Sequence, residues 1–411
     1  MIKAFEGVRG LAALIVALYH LDAGTRSFSL IRHGYIFVDL FFVLSGFVIC
    51  ASYSTRMESV EAFKSFVIRR FGRLFPLLAF STFFYIVAFN AIVLLKNLAI
   101  SHGFGAALSN PAALEYLVPN GLEIVSTLTF THSLGLFDRL ILNTPTWSIS
   151  AEFYAYLLFA AACLFLKGKS RLVAFAAFIL IAFTVIAWAS ISLYGCLDKG
   201  DCNTQTFDFG FPRCVLSFFL GALTYKLKKV VKPGPELFQL PALALLVAYF
   251  WQVENIPALS FLPPCIFAVF VFSISSDRGP MTWLFNRKFS QVLGQRSYSI
   301  YLMHLPLVLF FDLLAKRANG MLSGTVVVAS YVAALFILSG WTFRYIEDPW
   351  RLAFNRISDN MGRNRIATND AIANADKISR PNEAVPTGMN SFVESVKKEG
   401  AALAKEEAGH A

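Results

Sequence analysis

Residues 34–52, GYIFVDLFFVLSGFVICAS, decide the fold class: nineteen residues in a row carry a single charge, Asp39. Coiled as a helix, such a run is about 28 Å long, close to the ~30 Å hydrocarbon layer of a bilayer. Backbone groups in lipid must bond within their own segment. An unbroken apolar run does this as a helix, whereas a barrel strand would alternate apolar and polar residues. Working outward, comparable windows fall at 9–24, 74–95, 147–166, 172–194, 209–225, 239–253, 259–276, 297–315 and 324–345. The expectation is an all-α, polytopic membrane protein of about ten transmembrane helices over 1–354, followed by a polar, disordered tail at 355–411. Composition agrees: of 411 residues, 56% are hydrophobic, only 15% are charged, and 42 are Phe. A soluble chain of this size needs far more charge to wet its surface. A soluble enzyme, a nucleic-acid binder and a disordered scaffold are therefore excluded.

The net charge of +10 has a membrane explanation. With the N-terminus in the cytoplasm and ten alternating spans, 20 Lys and Arg fall on the cytoplasmic side and 8 outside. That bias sets the orientation, with both termini cytoplasmic. The moderately apolar stretch 122–138 would invert the later loops if it spanned, so it is expected to be re-entrant or surface-lying. Glu6 precedes the short apolar core at 11–18 and no small-x-small cleavage site follows, so the first span is expected to be retained. The tail carries eight basic and eight acidic groups with little periodicity, apart from a weakly amphipathic stretch at 390–408. Cys50, Cys163, Cys214 and Cys265 fall in or beside spans as small apolar residues. Cys196 and Cys202 share the polar loop 195–208, either as a small disulfide or as two free thiols.

Ionisable groups within spans are costly, which makes them informative. Arg9 and His20 are eleven residues apart, about 16 Å and close to three turns of one helix face, so a cation sits low and an imidazole high in the first span. Asp39 needs a partner, and His20 or Arg32 are the nearest by depth. Ser45-Gly46 beside it is either a close helix contact or functional. Arg69, Arg70 and Arg73 are either positive-inside anchors or a cradle for a polyphosphate. Glu152 lies inside the window opened by Trp147-Ser148-Ile149-Ser150, and Tyr301 and His304 share a face of the ninth span.

Taken together these pieces resemble the membrane acyltransferase 3 family, typified by bacterial O-antigen, exopolysaccharide and nodulation-factor O-acetyltransferases. The matching motifs are Arg9 with ten residues before His20, Asp39-Leu-Phe-Phe-Val-Leu-Ser45-Gly46 and Arg70-x-x-Arg73. Further ones are Trp147-Ser148-x-Ser150-x-Glu152, Arg213 with Phe219-Leu220-Gly221, Ser297-Tyr298-Ser299-x-Tyr301-x-x-His304, and Glu347-Asp348-Pro349. They run in the family's order over about residues 3–351. The resemblance implies transfer of an acyl group, usually acetyl, from cytoplasmic acyl-CoA to a hydroxyl of a surface or lipid-linked carbohydrate, across a bacterial inner membrane. It implies that Arg9, Arg69, Arg70 and Arg73 hold the CoA phosphates. His20 would be the general base, oriented by Asp39 or Glu152. Ser45 or a Tyr hydroxyl such as that of Tyr301 would stabilise the oxyanion, with Ser148, His304 and Arg213 in support and Trp147 stacking on a sugar ring. Direct transfer is expected, because no Ser sits in a recognisable nucleophile turn, and a stand-alone transferase is expected, because no esterase-like domain follows.

The six His form no metal-ligand spacing and no phosphate-binding glycine loop precedes a Lys, so no metal or ATPase site is expected. A glycan transporter or flippase is the rival reading, but the inverted repeats and paired broken helices that would point to it are not found. A non-catalytic scaffold would tolerate loss of His20 or Glu152.

Overall fold

The structure is a computed structural model, which describes residues 2–102, 115–199, 202–231, 234–316 and 321–361. Among them every regular element is a helix. The main ones are α1 (Lys3–His20), α2 (Phe37–Tyr53), α3 (Val60–Ser101), α4 (Gly121–Leu128), α5 (Thr146–Phe165), α6 (Gly168–Trp188), α7 (Gly210–Lys228) and α8 (Gln239–Gln252). They are followed by α9 (Pro263–Ile274), α10 (Lys288–Gln295), α11 (Ser297–Ala315) and α12 (Met321–Thr342).

Among the described residues six segments are long and apolar enough to cross a membrane: Gly34–Tyr53, Val60–Ser101, Thr146–Phe165, Gly168–Leu193, Ser297–Ala315 and Ser323–Met361. The other four windows also form helices but do not meet that measure. Helix α1 carries Lys3, Glu6 and Arg9, and α7 carries Arg213, Lys226 and Lys228. At 14 and 12 residues, α8 and α9 are only about 21 and 18 Å long. The last helical segment also runs past the expected boundary at 355, to Met361, because Arg69 pairs with Asp359 and Ser65 with Ser358 (2.6 Å). The rest of the expected tail, including 390–408, lies outside the described residues. Residues 122–138 make no span: α4 has eight residues, opened by a reciprocal Asn120–Glu123 capping box, and the chain then folds back under α5.

At the centre lie α2 and α7. Gly34–Tyr53 is 72% buried over its apolar window, against 22% for Gly168–Leu193, whose Leu180, Ile181 and Phe183 face outward as lipid-facing side chains should. The two central helices touch through paired glycines. A Cβ on Gly46 would lie 1.8 Å from the Phe218 carbonyl oxygen, and one on Gly221 2.0 Å from that of Val43. No side chain fits there, so Ser45-Gly46 and Phe219-Leu220-Gly221 are two halves of one close contact, which fixes the depth at which Ser45 faces its neighbours. Edge-on aromatic rings fill the space around it, with Phe218 5.8 Å from both Tyr156 and Phe159.

Cys196 and Cys202 form a disulfide. The chain just after it enters the core, where Gln205 donates to the Cys202 carbonyl (3.3 Å) and Asn203 reaches Asp39 (3.3 Å). Replacing both cysteines with serine should lower stability by about 2 kcal/mol through loss of a short closed loop. Thermal unfolding of detergent-solubilised protein reads this, and an unchanged midpoint under oxidising conditions would refute it.

Candidate active site

A cavity of about 600 Å³ penetrates the bundle between α1, α2, α3, α5 and α11. Arg9, Arg70 and Arg73 line it together with Ser45, Glu152 and Tyr156. Ser148 and Tyr301 also line it, their hydroxyls 2.8 Å apart.

The three arginines arrive there for different reasons. Arg9 is anchored on one edge: Nε donates to Ser297 Oγ (2.7 Å), and Nη2 to Glu6 (2.6 Å) and to the Gly294 carbonyl (3.3 Å). Arg70 and Arg73 sit well inside the 42-residue α3, not in a loop before a span, because Ser59 caps that helix by accepting from the Ala62 N–H. Arg70 lies over the rings of Tyr53 and Tyr156 at 5.5 and 5.8 Å and donates weakly to Tyr53 OH (3.3 Å), while its buried Nε finds no partner among the described residues. Arg73 makes no hydrogen bond or contact ion pair among the described residues. Its counter-charges Glu347, Glu6 and Glu152 act from a distance. A guanidinium with idle donors on a cavity wall is chemically ready for an anion. Arg69, expected beside them, does not line the cavity: it turns outward to Asp359 (2.5 Å).

Glu152 accepts from Ser45 Oγ and from Tyr156 OH (2.6 Å), and the two hydroxyls are themselves 2.8 Å apart. This carboxylate is therefore tied into the cavity wall and makes no bond to His20. Nor does Asp39, where the sequence expectation of an Asp39 bond to His20 or Arg32 is corrected. Asp39 is 0% exposed and pairs with Arg213 of α7 at 2.7 Å; it also accepts from Ser217 Oγ (2.9 Å) and Asn203 (3.3 Å). Arg213 supplies a full countercharge in direct contact, while Arg32 is drawn outward to Glu254 (2.9 Å). The expected stacking of Trp147 on a sugar is corrected too. Trp147 is 6% exposed, its ring lies 5.5 Å under the Arg213 guanidinium, and it fills the space left by Gly210.

His20 meets His304 instead. His20 Nδ1 lies 3.3 Å from His304 Nε2 and 2.9 Å from the Val16 carbonyl, and His304 Nδ1 lies 2.5 Å from the Tyr301 carbonyl. The network assigns the protons. His304 Nδ1–H donates to Tyr301, leaving Nε2 to accept from His20 Nδ1–H, so His20 Nε2 keeps its lone pair. That is the tautomer a general base requires. Tyr331 of α12, fully buried, donates to the Ala17 (3.2 Å) and His304 (3.4 Å) carbonyls and so holds α1 against α11 at this height. The imidazole pair is not part of the cavity wall. It lies one step beyond, with the His304 ring 5.8 Å from that of Tyr301, which in turn packs edge-on against Phe41 at 5.6 Å.

Three residues at or near the site have no role assigned to them by the sequence reading. Tyr156 is a turn along α5 from Glu152, a spacing that was open to view. Glu6 is the i−3 partner of Arg9. Glu347, in the quoted Glu-Asp-Pro motif, is buried by a π-helical turn at Phe343–Glu347 and accepts from Ser299 Oγ (2.7 Å). Outside the spans, burial pushes the His132 imidazole down to about 4, so it lies uncharged beneath the loop before α5, 3.1 Å from Thr146 Oγ1.

An acyltransferase domain family matches residues 2–344. The chain is 27% identical over 369 residues to a peptidoglycan O-acetyltransferase, OatA, of Listeria monocytogenes serovar 1/2a, covering 85% of this chain and 56% of that protein. It is 25% identical over 378 residues to the O-acetyltransferase OatA of Staphylococcus aureus strain NCTC 8325, covering 85% and 57%. The chain thus spans little more than half the length of these curated relatives. No solved structure matches it. With nearly every described helix inside the matched range and the motif residues Arg9, Ser45, Arg70, Arg73, Ser148 and Glu152 gathered on one cavity, this multi-pass membrane protein belongs to the acyltransferase 3 family.

Proposed function

We propose that the protein is an integral membrane O-acyltransferase that moves an acyl group, acetyl in the simplest case, from cytoplasmic acyl-CoA to a hydroxyl of a carbohydrate on the far side of a bacterial inner membrane. The observation that carries this reading is the single cavity that joins two guanidinium groups with idle donors, Arg70 and Arg73, to a wall ending at Tyr301, next to the His20–His304 pair. A CoA thioester is a polyanion at one end and a slim, amide-bearing arm at the other. Its phosphates meet Arg70 and Arg73 at the end where the sequence places the cytoplasm. The arm runs past Ser45, Glu152 and Tyr156, whose hydroxyl and carboxylate oxygens suit its amides. Its thioester is directed at Tyr301.

The acceptor hydroxyl comes from the other side. Its proton passes to His20 Nε2 as its oxygen attacks the acyl carbon, the C–S bond breaks, and the CoA thiolate leaves to be protonated. For the thioester and hydroxyl to meet, the Tyr301 side chain must leave Ser148 and open the last layer between them. Arg9, anchored through Nε to Ser297 and through Nη2 to Glu6, adds a fixed positive charge beside Arg70 and Arg73 on the same wall.

The test is transfer from acetyl-CoA, radiolabelled in the acetyl group, to an envelope-glycan fraction by the purified chain in proteoliposomes, with label counted as alkali-labile ester. Arg70→Gln and Arg73→Gln should each raise the KM for acetyl-CoA about tenfold or more, since each removes a charge-assisted bond, while kcat falls little. An unchanged KM in both would remove the phosphate assignment. Absence of both acetyl-CoA binding and transfer in the wild-type chain would sink the proposal.

A further inference from the structure

Near the start of α1 a second glycine contact ties that helix to the short helix Pro280–Phe285 and to α10. A Cβ on Gly7 would collide with the Phe285 carbonyl, one on Gly10 with the Gly294 backbone, and one on Gly294 with the Glu6 carbonyl. Asp277 strengthens the tie by accepting from the Lys3 (3.1 Å) and Ala4 (2.9 Å) N–H groups, and Gln291 donates to the Lys3 carbonyl (2.8 Å). The inner faces of both helices are buried against this contact, through Thr282 and Phe285 in the first and Ser290 and Leu293 in α10.

The outer faces carry the opposite pattern. Trp283 is 62% exposed, Leu284 52% and Phe289 61%. At the joint between the two helices, the Arg287 guanidinium lies 3.5 Å from the centre of the Trp283 ring. Its side chain makes no hydrogen bond or ion pair among the described residues, and neither does that of the adjacent, exposed Lys288. Two acids packed against these elements are committed elsewhere: Asp277 to the start of α1 and Asn286 (3.3 Å), Glu6 to Arg9 (2.6 Å). Two uncompensated cations therefore stand beside a broad, uncovered indole.

We infer that this platform is a binding site for an anionic phospholipid, whose phosphate sits on Arg287 and Lys288 while its upper acyl carbons lie along Trp283. A guanidinium held over an indole is already oriented, and its N–H edge can meet two phosphate oxygens at once. The net negative charge matters, because a zwitterionic headgroup brings a cation of its own toward two like charges. The exposed Trp, Leu and Phe side chains select a lipid over a free phosphate, since only hydrocarbon covers them, at the interfacial depth where indoles concentrate. The bound lipid would steady the end of α1 that bears Arg9, because Gly294, in the glycine contact, also accepts from Arg9 (3.3 Å). None of this depends on the acyl-transfer reading.

The test uses the full chain in phosphatidylcholine vesicles that contain, at equal mole fraction, either phosphatidylglycerol or phosphatidylcholine with brominated acyl chains. Bromine quenches an indole that it touches, and the difference between wild type and Trp283→Phe isolates the signal of Trp283. That signal should be quenched about threefold or more strongly by the brominated phosphatidylglycerol. Arg287→Gln combined with Lys288→Gln should make the two lipids equal, and inorganic phosphate in the buffer should leave the wild-type preference unchanged. Equal quenching of the wild-type chain by both lipids overturns the inference, as does a Trp283 signal that neither lipid quenches. So does a preference that survives in the double variant or that inorganic phosphate abolishes. The wild-type comparison needs no change at Arg287 or Lys288, so it decides the matter without the double variant. No acyl transfer is read, so failure here is distinct from failure of the proposed function.

Discussion

His20→Ala should lower kcat for acyl transfer by about 10² to 10⁴, the range expected for loss of a positioned general base, while the KM for acetyl-CoA stays within a factor of two or so of wild type. The separation follows from the geometry. His20 lies beyond Tyr301, outside the wall of the cavity that contains Arg70 and Arg73. His304→Ala should cost less, about tenfold to a hundredfold. It removes the acceptor for His20 Nδ1–H, but the Val16 carbonyl at 2.9 Å still favours the same tautomer. The pH profile distinguishes the roles: His304→Ala should shift the pH dependence of the residual rate, whereas His20→Ala should leave a residual rate with no imidazole-like inflection. Full transfer by His20→Ala protein would remove the imidazole from the mechanism.

The largest stability effect is expected at the Asp39–Arg213 pair. Both side chains are buried, and Arg213 also donates to the Gln205 carbonyl (3.2 Å), so it ties the loop after the disulfide to the core. Asp39→Ala leaves a guanidinium without its countercharge in the middle of the bundle, at a cost of about 3–5 kcal/mol. Most of the protein should fail to fold or should unfold roughly ten degrees earlier in detergent. Asp39→Leu combined with Arg213→Met should recover much of that loss, since replacing a whole buried pair by apolar groups is often neutral. The same double variant separates two roles for Asp39. If it orders the fold, acyl transfer returns along with folded protein. If it orients His20, folded protein returns without activity.

Much of the architecture was legible in the sequence because it depends on quantities local to a window. Whether nineteen residues dissolve in lipid is settled by their own side chains, and the helical period places Arg9 below His20 and Tyr301 beside His304 with no knowledge of neighbours. The charged residues on the cavity wall were also within reach one by one, because each breaks the apolar pattern of its span. Their partners were not. Asp39 was matched by depth to His20 or Arg32, but depth leaves open which helix stands alongside. Arg213, 174 residues away, wins because the glycine contact between α2 and α7 brings those two helices closest together.

The same division holds at the reacting groups. Composition, hydrophobic period and the positions of the intramembrane charges by themselves determined that the chain is a helical membrane protein with a cation and an imidazole on one helix face. Only the tertiary structure decided that the partner of His20 is His304, 284 residues on, that Glu152 turns to Ser45 and Tyr156, and that Trp147 lies under Arg213. The physical reason is that a lone buried charge or imidazole announces a need for a partner, while the packing of helices far apart in sequence selects which group comes close enough to meet it.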